Sequence, residues 1–191
     1  MSSIKLTADS GGGTFEIKAP SSSGNTRVLT LPDTGNATVL TTDTSVGKIL
    51  QVVSVNKTDV QSTTSTSFID ITGLSLNITP SATSSKILLT GNVVIHHSQY
   101  TAFVQILRDS TVIGTPATGS NSAYIVYNSE GDRNGGRAIN FLDSPNTTSQ
   151  VTYKIQFRRD GGSTLYINAH STGTTNDYIS TSVLTAMEVA A

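Results

Sequence analysis

The chain of 191 residues has no cysteine and no tryptophan, and only 13% of its residues are charged. The missing cysteines exclude disulfides and thiolate metal sites, so stability has to come from packing and assembly. A formal net charge of −1 without any run of Lys or Arg lacks the basic footprint that phosphate neutralisation requires, which predicts no nucleic-acid partner. Nothing approaches the roughly 20 apolar residues of a membrane span. The opening Met1-Ser2-Ser3-Ile4-Lys5 has no apolar stretch of signal-peptide length, which predicts a chain made in a cytoplasm and not inserted into a membrane.

Catalytic signatures are missing as well. The Gly-x-Ser-x-Gly elbow of a serine hydrolase is absent, and Glu16, Glu130 and Glu188, the three glutamates, fall in separate regions, so no paired carboxylates for glycoside cleavage can be assigned. Of the three histidines, His96 and His97 are adjacent on a predicted strand. Their side chains then point to opposite faces and cannot grip one ion. Asp132-Arg133-Asn134, between Glu130 and Gly135, supplies oxygens on a loop but lacks the spacing and the bidentate Glu of a calcium loop. The expectation is a protein that is not an enzyme, with no cofactor and no metal.

What is present is Val, Ile and Thr among Ser, Gly and Asn, the composition of strands joined by turns. Residues 1–46 hold short apolar pieces, Ile4-Lys5-Leu6, Phe15-Glu16-Ile17, Val28-Leu29-Thr30-Leu31 and Ala37-Thr38-Val39-Leu40, split by turn-rich stretches such as Asp9-Ser10-Gly11-Gly12-Gly13. They carry too few apolar side chains to enclose a core alone, which suits a shaft or attachment segment. Residues 47–191 read as a larger domain with longer strands. In Val151-Thr152-Tyr153-Lys154-Ile155-Gln156-Phe157-Arg158 every second residue is apolar, the mark of a half-buried antiparallel strand. With Asp160-Gly161-Gly162 and the return Leu165-Tyr166-Ile167-Asn168-Ala169, residues 151–169 predict a hairpin.

Further strands are predicted at 49–55, 67–71, 74–78, 86–96, 102–108, 111–113, 123–127, 138–142 and 182–189. No segment sustains a 3.6-residue period, so the predicted class is all-β, an antiparallel sandwich or jelly roll. Segments 49–55 and 183–189 are apolar on both faces, and a sandwich strand has only one face for the core. A neighbouring subunit would cover the other face, which makes Ile49, Leu50, Val52, Val53, Val55, Leu184 and Ala186 candidate interface residues, with Leu184 placed on the symmetry axis. Tyr100, Tyr124, Tyr127, Arg133 and Arg137, on or near loops, are candidates for recognising a carbohydrate or protein surface.

Several stretches carry a resemblance. Gly13-Thr14-Phe15-Glu16-Ile17-Lys18-Ala19-Pro20 and Arg27-Val28-Leu29-Thr30-Leu31-Pro32-Asp33 resemble the N-terminal segments of virion proteins from marine and cyanobacterial tailed phages. Gly47-Lys48-Ile49-Leu50-Gln51-Val52-Val53, Ser67-Phe68-Ile69-Asp70-Ile71-Thr72-Gly73-Leu74, Tyr153-Lys154-Ile155-Gln156-Phe157-Arg158 and Ala186-Met187-Glu188-Val189 are similar to a recurrent fibre head module of such phages. The resemblance implies a homotrimeric jelly-roll head like those of the tumour-necrosis-factor and complement globular-head families, its first and last strands lining the threefold axis. It also implies a virion location, other virion proteins as partners, and contact with a host surface carbohydrate or protein. A capsid decoration or neck protein, or a carbohydrate-binding lectin, is the alternative. Ser98–Tyr100 and Ser120–Arg137 depart from the pattern.

Overall fold

The computed structural model describes residues 3–7, 14–18, 24, 48–96, 100–116, 123–128, 134–162, 164–171 and 176–190. The chain divides into two compact units, Met1–Thr41 and Thr42–Ala191. In the first, β1 (Ser3–Thr7) and β2 (Thr14–Lys18) pair antiparallel with Ile4 opposite Ile17 and Leu6 opposite Phe15. Both strands coincide with short apolar pieces read from the sequence. The pieces at 28–31 and 37–40 lie outside the described residues.

The second unit contains β3 (Ile49–Lys57), β4 (Gln61–Thr63), β5 (Ile69–Ile78), β6 (Lys86–His96), β7 (Thr101–Arg108), β8 (Thr111–Ile113) and β9 (Ile125–Asn128). After these come β10 (Asn134–Asp143), β11 (Val151–Arg159), β12 (Leu165–Ile167), β13 (Ala169–Ser171), β14 (Asn176–Ile179) and β15 (Ser182–Val189). The pairing is nested: β3 with β15, β5 with β11, β6 with β10, and β7 with β8 and β9, all antiparallel. Four nested pairs, dealt alternately between two sheets, are the jelly-roll arrangement. The six-stranded sheet runs β3-β15-β6-β12-β4 with β10 on the other side of β6, and the five-stranded sheet runs β5-β11-β7-β8 with β9 also on β7. The chain is all-β, as the missing helical periodicity predicts.

Between the sheets lie Leu74, Ile87, Leu89, Ile95, Ile106, Tyr153, Ile155, Phe157, Leu165 and Leu184, all fully buried. Each comes from the apolar phase of its strand, so burial of that phase drives the two sheets together. Predicted strands 67–71 and 74–78 merge into β5. Gly73, at φ 88°, sits where Ile71 to Leu74 lie opposite Ile155 alone. This bulge resets the alternation, so Ile71 and Leu74, three positions apart, both reach the core.

The predicted 151–169 hairpin is not formed. β11 pairs with β5 and β7, whereas β12 pairs with β4 and β6 in the opposite sheet. Asp160-Gly161-Gly162 therefore carries the chain across the sandwich, with Gly162 at φ 73° and the Asp160 amide bonded to the Thr101 carbonyl at 2.9 Å. Both apolar phases do face one core, from opposite sides. Period-2 alternation fixes which side chains are buried but not which strand lies alongside.

The register also defines the ends of the sandwich. At one end β3 begins, β15 and β10 finish and β6 begins, with Val189 opposite Ile49 and Lys86. The chain enters the unit here. At the other end β6 and β11 finish and β7 and β10 begin, with Asn134 opposite His96 and Arg159 opposite Ala102.

Candidate functional site

The sequence candidates fall in three places. Val53 and Val55 are partly buried and pack against the core, while Leu184 and Ala186 are fully buried within it. The expectation that Leu184 lies on a symmetry axis is therefore corrected, because the inward phase of β15 is Leu184-Ala186-Glu188 and the outward phase is Val183-Thr185-Met187-Val189. Ile49, Leu50 and Val52 remain exposed.

The outward phases of four strands align in rows. Val52, Met187, Leu88 and Leu142 stand side by side across β3, β15, β6 and β10. Val52 is 56% and Leu142 55% exposed. The next row is Ser54, Thr185, Thr90 and Asn140, with the Ser54 and Thr185 hydroxyls 2.8 Å apart. Lys86, which donates to Ser144 Oγ at 2.9 Å, is the one charged side chain in the outward phases of these strands among the described residues. Leu88, Met187 and Leu142 were not among the sequence candidates. Their signal is present in segments 86–96, 138–142 and 182–189, but it becomes visible only when register aligns them.

The outer face of the five-stranded sheet is different. Gln105 Nε2 donates to Gln156 Oε1 at 2.7 Å, Gln156 Nε2 to Asp70 Oδ1 at 2.6 Å, and Lys154 Nζ to Asp70 Oδ2 at 3.0 Å. Hydrogen bonds from Gln156, then Lys154, hold the Asp70 carboxyl below its ordinary pKa. Arg158 closes this face at its end, its guanidinium 3.9 Å from the Phe103 ring centroid and 5.1 Å from that of Phe68.

The recognition candidates separate as well. Tyr100, 46% exposed, Arg137, opposite Val93, and Tyr127, opposite Ala102, belong to the end away from where the chain enters. Arg133 lies outside the described residues. Tyr124 has a structural task instead: its hydroxyl donates to the Asn140 carbonyl at 2.8 Å and accepts from the Asn140 amide at 2.9 Å. These groups lie on the edge of β10 away from β6, so Tyr124 satisfies backbone that would otherwise recruit a foreign strand. Its ring meets Phe141 edge-on.

Two polar groups buried near the entry end were not anticipated. Glu188, fully buried, accepts from Gln51 Nε2 at 2.6 Å and from the Ser81 amide and hydroxyl at 2.7 and 2.6 Å. Burial pushes its pKa up, but hydrogen bonds from Ser81, Gln51 and Ser85 outweigh this and hold it at about 2. Asp143 accepts from Arg108 Nη1 at both carboxylate oxygens, at 3.0 and 2.8 Å, and from Tyr153 Oη at 2.6 Å. Burial, then the Asp143 carboxylate, raises the Tyr153 pKa far above its ordinary value. At the opposite end Asn168, at φ 65°, donates to the Lys57 and Asp59 carbonyls and accepts from Ser182 Oγ. These groups are satisfied internally. Among the described residues no group of three or more His, Asp or Glu side chains is placed to hold a metal.

No family model matches the chain and no curated protein is similar to it. Similar solved structures come from infectious bursal disease virus. One, from the Gx strain, is 15% identical over 97% of this chain and 48% of its own, with a TM-score of 0.40. A VP2 subviral particle is 14% identical over 73% and 38%, at 0.41. The D431N mutant of VP2, in T=1 particles, is 13% identical over 96% and 46%, at 0.42. The chain thus spans less than half the length of each.

Proposed function

We propose that the chain is a non-enzymatic structural protein of a virion, a homotrimeric fibre or tail-associated subunit whose N-terminal segment docks on the particle. In this reading the far end of its jelly roll meets other virion proteins or a host surface carbohydrate or protein. The observation that carries it is the polarity of the sandwich: the chain enters at one end, while Tyr100, Arg137 and the turn at Asp160-Gly161-Gly162 lie at the other. A rigid β scaffold with attachment at one end and loops at the other is built to display a surface. The described polar side chains favour this over chemistry, because the buried carboxylates Glu188 and Asp143 are fully engaged in holding loops and strands.

Immunogold labelling of purified virions with an antibody against the sandwich tests the reading. Gold on tail or fibre tips supports it. Gold spread over the capsid favours a decoration protein instead, and particles without gold contradict a virion location.

A further inference from the structure

The outer face of the β3-β15-β6-β10 sheet is the largest feature that the fold of one chain leaves unexplained. Antiparallel sheets normally alternate apolar-in and polar-out, so a solvent-facing row of Val52, Met187, Leu88 and Leu142 across four strands departs from the pattern. On the other sheet the outward side chains of β5, β11 and β7 form the polar Gln105–Gln156–Asp70–Lys154 ladder, and the exposed Val112 and Val126 are confined to the short strands β8 and β9. Isolated exposed apolar residues need no explanation, but a contiguous row does.

We infer that this face is covered by further copies of the same chain, with the Val52–Met187–Leu88–Leu142 row at the centre of the contact. This rests on the homotrimer reading and assigns the surface that makes it. Three observations favour a copy over a foreign partner. Among the described residues only Lys86, at the margin, brings a charge, so the face carries no pattern with which to select an oppositely charged protein, and copies placed against it meet little like-charge repulsion. The neighbouring row, Ser54, Thr185, Thr90 and Asn140, is made of hydroxyls and an amide that both donate and accept. Such a row finds partners in its own copies. Four strands about 4.8 Å apart, rising about 3.4 Å per residue, give a flat area of about 600 Å² before side-chain relief. That approaches the roughly 800 Å² that each partner gives to a standard stable interface.

Sedimentation equilibrium of the full chain at micromolar concentration tests the inference, with Val52→Lys and Leu88→Lys as variants and Gln156→Lys on the other sheet as control. The expected result is a trimer for the unaltered chain and the control, and monomers with unchanged β circular dichroism for both variants. Where Leu88→Lys does not fold, Val52→Lys on the exposed edge strand and the milder Leu88→Ser decide, each expected to weaken association at least tenfold. An unaltered chain that trimerises while these variants trimerise equally well overturns the assignment of this face and leaves the homotrimer reading standing. A monomeric unaltered chain overturns both.

Discussion

The two sheets of the sandwich share one core but differ in the outer faces of their long strands. On the five-stranded sheet Gln105, Gln156, Asp70 and Lys154 bond to one another in a continuous ladder, and Arg158 lies over Phe103. The exposed apolar residues of that face, Val112 and Val126, stand on the short outer strands β8 and β9. On the six-stranded sheet the outward phases are nearly uncharged and an apolar row runs across four strands. One strand cannot reveal this difference, since Val52 alone is an ordinary exposed residue and Met187 an ordinary half-buried one. It is the alignment of four such residues that distinguishes a face to be covered from a face left in water.

The largest expected effect comes from an inward residue. Leu184→Lys places an ammonium group in the core, where the lost packing costs about 2–5 kcal/mol and the unpaired charge several more. The chain should fail to fold, giving no cooperative melting transition by circular dichroism. A folded but monomeric Leu184→Lys would instead place Leu184 at a subunit contact and contradict its assignment to the core.

Next comes acid sensitivity at Glu188. Its folded pKa, about 2, lies below the ordinary 4.5, so its contribution is present in full above pH 4.5 and is lost as pH falls from there toward 2. The shift corresponds to stability on the order of 3 kcal/mol. Denaturant melts between pH 6 and 3 should lose stability in the unaltered chain and less of it in Glu188→Gln, which starts lower. Parallel curves for the two would contradict the role given to Glu188 in tying β3 and β15 to residue 81.

Tyr124→Phe sharpens the comparison at the edge of the six-stranded sheet. Losing the hydroxyl leaves the Asn140 amide and carbonyl without their partner, a cost of about 1–2 kcal/mol, with increased aggregation through the open edge of β10. Thermal melting and light scattering read both. The smallest effect belongs to the solvated face. Lys154→Ala removes a partly exposed ion pair with Asp70 and should change stability by less than about 1 kcal/mol without altering assembly.

The class and the burial pattern were legible because alternation in 86–96, 151–158 and 182–189 reports directly on which phase meets the core. Partner choice was not. The 151–169 segment has a turn and two apolar strands, yet β12 joins the opposite sheet, a decision made by long-range pairing with β4 and β6. Segments 49–55 and 183–189 do have two apolar faces, but assigning Leu184 outward inverted the phase of the strand. Ser182, Leu184, Ala186 and Glu188 are all buried, and an inward Glu188 is hard to anticipate from local sequence because its hydrogen-bond partners, Gln51 and Ser81, are distant in the chain. Tyr124 was legible as an aromatic near a loop. That its hydroxyl closes a strand edge could be known only from the backbone beside it.

Met187 allows the central claim to be tested without altering the chain, because it stands in the outward row and its thioether reacts readily with oxidants. Pulsed hydroxyl-radical footprinting over a dilution series reads its accessibility directly. If copies of the chain cover this face, Met187 is protected at high concentration and its oxidation rises several-fold as dilution separates the subunits. Equal oxidation of Met187 across the series, while sedimentation shows the chain passing from assembled to monomeric, would contradict the claim.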